Sequence, residues 1–185
     1  NNYSNLLGSD LAASGGTGDL DQFNAGEALV NGIEFLLNYN LVKNDKIKIP
    51  ISFAYTLINA RFQSDFGSTQ DIWGEVKKGN RIPYISKHQF NSLISLFTNR
   101  FQVNLSLNYN GKYTTLAGGH GISNIDEIPS NVIFDISSKF KINKNFNIST
   151  KIINLFDKEY SVSLVPAGLR PGHPFGVYGG IEYDF

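Results

Sequence analysis

Apolar and polar residues alternate one by one over long stretches of this chain. The clearest stretch is residues 102–113, QVNLSLNYNGKY, in which apolar, aromatic and glycine residues occupy every second position. Successive side chains of a β-strand point to opposite faces of the sheet, so a period of two predicts a strand with one apolar and one polar face. The stretch exceeds the length of most strands in soluble proteins, which narrows the possible folds.

The same alternation recurs along the whole chain and predicts seven strands. We place them at residues 32–41, 47–57, 88–98, 102–113, 132–142, 146–152 and 175–185. The stretch 88–98 is the least regular, because apolar residues fall on both of its faces. No segment has a helical period, so we predict an all-β, antiparallel fold.

The segments between the predicted strands alternate between short and long. Short turns rich in Asn, Asp and Lys are expected at residues 42–46, 98–100 and 143–145. Long loops are expected at residues 60–87, 116–130 and 156–174, and the first 25 residues read as a further loop. In an antiparallel meander this order puts all short turns at one end of the sheet and all long loops at the other.

Aromatic residues concentrate near the expected strand ends. Five lie towards the short turns (Tyr39, Phe101, Phe140, Phe146, Tyr183) and three lie towards the long loops (Tyr84, Tyr113, Phe175). Such aromatic belts mark the two interfaces of a membrane-spanning barrel. A soluble β-sandwich and a lipocalin-type barrel remain alternatives. The polar faces, however, carry mostly Asn, Ser and Thr rather than Lys and Glu, and this favours an antiparallel transmembrane β-barrel.

The composition excludes some functions and raises a question about strand number. The 16 basic and 16 acidic residues balance, which argues against a nucleic-acid partner. Without cysteine there is neither a disulfide framework nor a thiolate metal site.

Single-chain bacterial barrels have an even number of strands, so seven strands are expected to be part of a larger barrel. The polar first residues and the absence of methionine agree with a piece of a longer protein.

Three segments resemble parts of one family. INLFDKEYSVSLVPAGLRPGHPFGVYGGIEYDF (residues 153–185) resembles the C-terminal end of TonB-dependent outer-membrane receptors, in which an Asn-Leu-Phe-Asp-Lys-x-Tyr motif precedes a final strand ending on an aromatic residue. VKKGNRIPYISKHQFN (residues 76–91) is similar to another segment of the family, with Ser86 where proline is commoner. NAGEALVNGIEF (residues 24–35) resembles the entry to a mid-barrel strand, and the loop PAGLRPGHP is closest to receptors of the ferric-citrate type.

The resemblance implies a 22-stranded barrel closed by an N-terminal plug. Residues 1–185 would be its last seven strands, without the plug, in the cell outer membrane with a periplasmic C-terminus. Such receptors import a scarce ligand, most often a ferric siderophore or ferric citrate, with energy delivered through TonB. An importer of oligosaccharide or peptide with this fold, and a passive porin-like barrel, remain alternatives. Expected partners are outer-membrane lipid, the ferric chelate, the TonB complex through the missing plug, and the barrel-assembly machinery.

Candidate ligand-binding residues lie in the expected long loops. Arg81 and Arg170 offer planar guanidinium groups to an anionic chelate. Trp73 could cover a bound ligand, and His120 and His173 lie in loops on the same side. A chelate brings its own iron ligands, so we expect no metal site and no cofactor of the protein itself.

Two further predictions concern assembly and catalysis. By the family resemblance, Tyr183 and Phe185 belong to the C-terminal signal read by the assembly machinery. Catalysis would need a nucleophile, a base and an orienting group together, and the only close Ser/His pair, Ser86 and His88, lies in the segment that resembles a structural part of the family. We therefore expect no enzyme activity.

Overall fold

Seven long antiparallel strands form a single sheet in the computed structural model, which describes residues 2–4, 7–9, 22–24, 26–67, 74–117, 127–164 and 168–183. Each strand pairs with the next one along the chain, as in a meander. Nowhere in these residues is there a helix that is long and apolar enough to cross a membrane. The strands are β1 (Ala28–Lys43), β2 (Ile47–Phe62), β3 (His88–Thr98), β4 (Phe101–Asn110), β5 (Asn131–Lys141), β6 (Phe146–Ile153) and β7 (Gly176–Tyr183).

All seven predicted strands are present, but three of their ends differ by three residues or more. β1 and β2 are each 16 residues long and continue beyond the predicted alternation towards the long loops. β4 ends at Asn110, whereas the sequence predicted a strand to Tyr113. After β4, the Gly111 N–H donates to the His88 carbonyl, and Tyr113–Thr114 pairs with Glu127–Ile128 in a separate small sheet. A Cβ on Gly111 would lie 3.0 Å from the His88 carbonyl oxygen, so the close approach favours glycine.

The register aligns the apolar residues of neighbouring strands on one face, here called the outer face. Phe35, Tyr55, Phe90, Tyr109 and Val132 form one continuous row across β1 to β5. The Phe90 and Tyr109 rings stack with centroids 4.9 Å apart. Apolar side chains on this face are widely exposed, which suits lipid rather than water.

The height of the apolar band matches a membrane. On β2 the outer face is apolar at every second residue from Ile47 to Leu57, and Asn59 and Arg61 follow. Ten residue steps of about 3.4 Å, at a tilt of about 45°, span roughly 24 Å. Outer-membrane barrels carry an apolar band of about 25 Å, so β2 has the expected dimensions.

The opposite face, here called the inner face, is mainly polar. Asn104 Nδ2 donates to Ser137 Oγ at 3.1 Å, and Ser52 Oγ donates to Asn38 Oδ1 at 2.7 Å. Lys139 forms an ion pair with Glu182 across β5, β6 and β7. Some apolar side chains, including Leu93, also lie on this face, which explains the irregular pattern of residues 88–98. Polar cross-strand contacts suit a water-filled or protein-filled lumen.

The sheet is open within the described residues. β7 pairs only with β6, and β1 pairs beyond β2 only with the two-residue strand Asn2–Tyr3. Unpaired strand edges cannot stand in hydrocarbon, because their N–H and C=O groups would lack partners. The sheet is therefore consistent with a portion of a closed barrel.

Three short turns connect the strands at one end of the sheet and share one hydrogen-bond arrangement. The first side chain of each turn accepts hydrogen bonds from the backbone N–H groups two and three residues later. Asn44 Oδ1 accepts from Lys46 and Ile47. Thr98 Oγ1 and Asn143 Oδ1 do the same in the other two turns. Each turn thus specifies its own geometry.

Candidate functional site

At the long-loop end, the loop that follows β2 folds back onto the inner face. Phe62 is fully buried and packs with Val76, Ala28 and Ala117 in a small apolar cluster. Phe66 meets the Phe62 ring edge-on, with ring centroids 5.1 Å apart. A short hairpin, Phe66–Gly67 with Glu75–Val76, holds these residues in place. The loop therefore has a packed base at the long-loop end of the sheet.

Two tyrosines join three separate loops. The Tyr84 hydroxyl is hydrogen-bonded to Ser163 Oγ at 3.2 Å, and Tyr113 Oη donates to the Val162 carbonyl at 3.1 Å. Their rings lie with centroids 6.0 Å apart. Burial, and secondarily the neighbouring Tyr84, raises the pKa of the Tyr113 phenol, which keeps it a neutral donor. The sequence placed both tyrosines in an interfacial belt, which stays a prediction; the structure shows in addition that they connect loops.

Asn154, the first residue of the NLFDKEY motif, is the centre of a hydrogen-bonded knot. Its side-chain Nδ2 donates to the carbonyls of Lys158 and His173, at 3.0 and 2.9 Å. Its Oδ1 accepts from the Lys158 N–H, and its own N–H donates to Asp135 Oδ1. Asn154 is 2 % exposed and has a φ of 48°, a conformation that Asn tolerates better than most residues. The motif thus fixes the end of β6 to the segment that enters β7.

His173 lies beside this knot and is held by tyrosines. The Tyr178 hydroxyl and His173 Nε2 are 3.2 Å apart, and the His173 N–H donates to Tyr160 Oη at 3.3 Å. A Cβ on Gly172 would lie 2.0 Å from the Tyr160 ring, so the ring packs directly on the loop backbone. Sequence reasoning selected His173 but missed Tyr160 and Tyr178 as its partners, because they become neighbours only in the folded loop.

A cleft of about 700 Å³ opens between the turn after β6 and the loop before β7. This volume is within the usual range for small-ligand sites, about 300–1,000 Å³. Its walls mix charge, aromatic surface and apolar surface. They include Asp157, Lys158, Glu159, Tyr160, Leu169 and His173. We call it the loop cleft.

The structure places the other predicted ligand residues differently. Arg170 is exposed and lies next to the loop cleft. It belongs to the short strand Arg170–Pro171, which pairs with the strand Ser161–Ser163. Arg81 is also exposed but forms a β-bridge with Arg61, in another loop. Trp73 and His120 lie outside the described residues, as does Phe185 of the predicted assembly signal. Tyr183 pairs with Phe146 at the short-turn end. Ligand contact by the arginines, Trp73 and His120 stays a prediction, as does the assembly role of Tyr183 and Phe185.

The Ser/His pair does not form a nucleophile and a base. Ser86 Oγ donates to the backbone carbonyl of His88 at 2.9 Å. The His88 ring instead meets the Tyr55 hydroxyl through Nδ1 at 2.8 Å. Over the part of the chain that the structure describes, no three His, Asp or Glu side chains are grouped to hold a metal ion.

The comparison with family models gives one match over most of the sequence. A model described as "TonB dependent receptor-like, beta-barrel" matches residues 1–155. Among curated proteins, none matches the sequence.

Solved structures with the same fold include receptors for iron chelates. The siderophore receptor PiuA from Acinetobacter baumannii aligns with a TM-score of 0.69 and 21% identity, over 89% of this chain and 23% of that one. The ferric-catecholate import receptor Fiu from E. coli K12 gives 0.68 and 19%, over 99% and 24%. The ferric yersiniabactin uptake receptor FyuA from Yersinia pestis gives 0.67 and 20%, over 89% and 25%. The chain spans about a quarter of each of these proteins, and identities this low establish a shared fold alone.

Proposed function

Since the chain belongs to the TonB-dependent receptor-like β-barrel family, we propose that it works as part of an outer-membrane uptake receptor for a ferric siderophore or ferric citrate. The family is one of outer-membrane transport receptors, and membership supports ligand uptake as the first part of this proposal. The identity of the ligand is its second part. The similar structures are named as siderophore, ferric-catecholate and ferric-yersiniabactin receptors, which motivates an iron chelate.

The loop cleft is the observation that carries the proposal. It lies at the long-loop end of the sheet, and its walls combine the aromatic Tyr160 with Lys158 and His173, beside the carboxylates of Asp157 and Glu159. Arg170 beside the cleft and Lys158 in its wall offer charge-assisted hydrogen bonds to a carboxylate or catecholate chelate. His173 and Tyr160 are pre-positioned by their mutual contacts, which lowers the entropy lost on binding.

The remaining parts of the proposed mechanism follow from the family. We propose that the long-loop end is extracellular and that the short-turn end, with the C-terminus, is periplasmic. The polar inner face would contact a plug, and the plug would transmit energy from the TonB complex. Tyr183 and Phe185 would serve the barrel-assembly machinery. Domain limits, a total of 22 strands and a plug outside residues 1–185 remain proposals.

Ligand binding to the full-length protein tests the proposal. We expect ferric citrate or a ferric siderophore to bind more tightly than the iron-free chelator, and a neutral oligosaccharide not to bind. Arg170→Gln together with His173→Ala should weaken binding about tenfold, because one charge-assisted hydrogen bond and one ring contact are lost. Lys144→Gln, in a short turn at the other end, is the matched control. Tighter binding of oligosaccharide, or uptake that persists without TonB, would refute the proposal.

A further inference from the structure

Arg61 and Arg81 stand directly opposite each other above the apolar band of the outer face. They form an isolated antiparallel bridge. The Ile82 N–H donates to the Ala60 carbonyl and the Phe62 N–H to the Asn80 carbonyl, so these bonds flank the bridge on both sides. In that arrangement the facing pair is the non-hydrogen-bonded kind, whose side chains approach most closely. The bridge therefore starts the two arginine side chains from facing positions on neighbouring segments.

The side on which this pair lies follows from its neighbours. Phe62 and Ile82 belong to the apolar cluster on the inner face. Side chains alternate along a strand, so Arg61 and Arg81 point to the outer face. Both are exposed. They consequently face away from the interior of the barrel, where an imported ligand would pass.

The height of the pair places it at the level of lipid headgroups. Arg61 is four residues beyond Leu57, the last apolar residue of the outer face on β2. That distance is about 14 Å along the strand, or roughly 10 Å above the apolar band at a tilt of about 45°. The headgroup layer extends about 5–8 Å beyond the hydrocarbon on each side. An arginine side chain is long enough to reach back into it.

Neither of the two positive charges is paired with a carboxylate within ion-pair distance, over the residues that the structure describes. Like charges facing each other across strands are destabilising. Arg61 Nε donates to Asn59 Oδ1 at 3.1 Å and its Nη1 to the Gly79 carbonyl at 2.6 Å, which orients the guanidinium. Two of its five N–H donors are used in this way, and the others remain able to bind an anion.

We propose that Arg61 and Arg81 together bind the phosphate of an anionic lipid in the adjoining membrane leaflet. Guanidinium groups bind phosphate through paired hydrogen bonds, and a shared phosphate removes the repulsion between the two arginines. The bound lipid is a structural partner of the barrel wall. The site acts independently of which ligand the receptor imports, and it gives Arg81 a role different from ligand recognition.

Lipid binding to the full-length protein in a neutral detergent tests the site. Short-chain phosphatidylglycerol is titrated and bound lipid is counted by native mass spectrometry, with an uncharged glycolipid as the comparison. Arg61→Gln with Arg81→Gln should weaken phosphatidylglycerol binding about tenfold or more. Arg61→Lys with Arg81→Lys should lose less, because the charge remains while the paired hydrogen bonds are lost.

The matched control is Lys77→Gln with Lys78→Gln, which removes the same number of charges from the loop that contains Arg81. Lys77 is paired with Asp65 at 3.9 Å and is not part of the bridge, so lipid affinity should stay within about twofold. Circular dichroism and heat-dependent gel migration check folding, and Arg81→Gln alone serves if the double variant does not assemble. An equal loss in the lysine control would overturn the site. The site would also be overturned if the arginine variants bound phosphatidylglycerol as well as the unchanged protein, or if the glycolipid bound equally well. Full displacement of the lipid by millimolar inorganic phosphate would overturn it too.

Discussion

Each short turn at one end of the sheet is closed by a side chain within the turn itself, whereas the loops at the other end are fixed by residues far away in sequence. Asn143 bonds to backbone groups two and three residues later. Asn154 instead connects to Asp135 and His173, each 19 residues away, and Tyr84 meets Ser163 across 79 residues. The same residue type, asparagine, performs a local task at one end and a long-range task at the other.

This difference separates the part of the barrel that needs only to connect strands from the part that can recognise a ligand. A local turn forms wherever its few residues are present. Loops joined across the fold hold their shape only in the assembled protein, and they can then position groups from several segments around one cleft. The contrast predicts a graded series of mutational effects.

The largest effect is expected for Asn154→Ala. Three buried side-chain hydrogen bonds disappear, and alanine is less tolerant of the positive φ. We expect a loss of about 3 kcal/mol or more in the free energy of unfolding. Urea unfolding of the full-length protein in detergent measures it, with the exposed Asn110→Ala as control. A loss below about 1 kcal/mol would show that the knot is not a long-range anchor.

A smaller effect is expected for Tyr84→Phe with Tyr113→Phe, which removes the two hydroxyl groups that connect the loops. Both rings remain, but the hydrogen bonds to Ser163 and Val162 are lost. We expect about 2 kcal/mol in total and faster amide exchange at Ser161–Ser163. Tyr39→Phe, at the short-turn end, should change neither. If amide exchange rises equally throughout the sheet, these two hydrogen bonds stabilise the whole barrel rather than the loops.

The smallest effect is expected for Asn143→Ala. The N–H groups of Asn145 and Phe146 lose their acceptor, but the turn is exposed and water can replace it. We expect a loss of about 1 kcal/mol or less, measured by the urea midpoint. Lys144→Ala in the same turn is the control. An effect as large as that of Asn154→Ala would break the distinction between the two ends.

The agreement between sequence and structure follows the same division. The strand His88–Thr98 was predicted with both ends correct, and β5, β6 and their turn were placed to within one residue. These segments are bounded by local signals. The extension of β2 to Phe62 was missed because Asn59 and Arg61 break the apolar alternation while the backbone pairing with β1 continues. A hydropathy pattern does not distinguish polar strand residues that point outward beyond the apolar band from the polar residues of a loop.

The candidate site was predicted less completely. His173 was selected by residue type and loop position, and the structure brings it to Tyr160 and Tyr178. Arg81 was selected by the same reasoning, and the structure pairs it with Arg61, a neighbour that the sequence did not indicate. A sequence shows that a loop contains an arginine. It does not show which neighbour the loop will meet, because that depends on pairing between residues 20 positions apart in the chain.

By itself, the sequence determined the period of two, the division into a lipid-facing and a polar face, the seven strands and the three short turns. These properties depend on side chains one to three residues apart, whose geometry the backbone fixes. Only the tertiary structure decided the loop cleft, the knot at Asn154 and the facing arginines. Each depends on contacts between segments that are far apart in the sequence. Strand register and loop packing bring these segments together, and neither can be read from neighbouring residues alone.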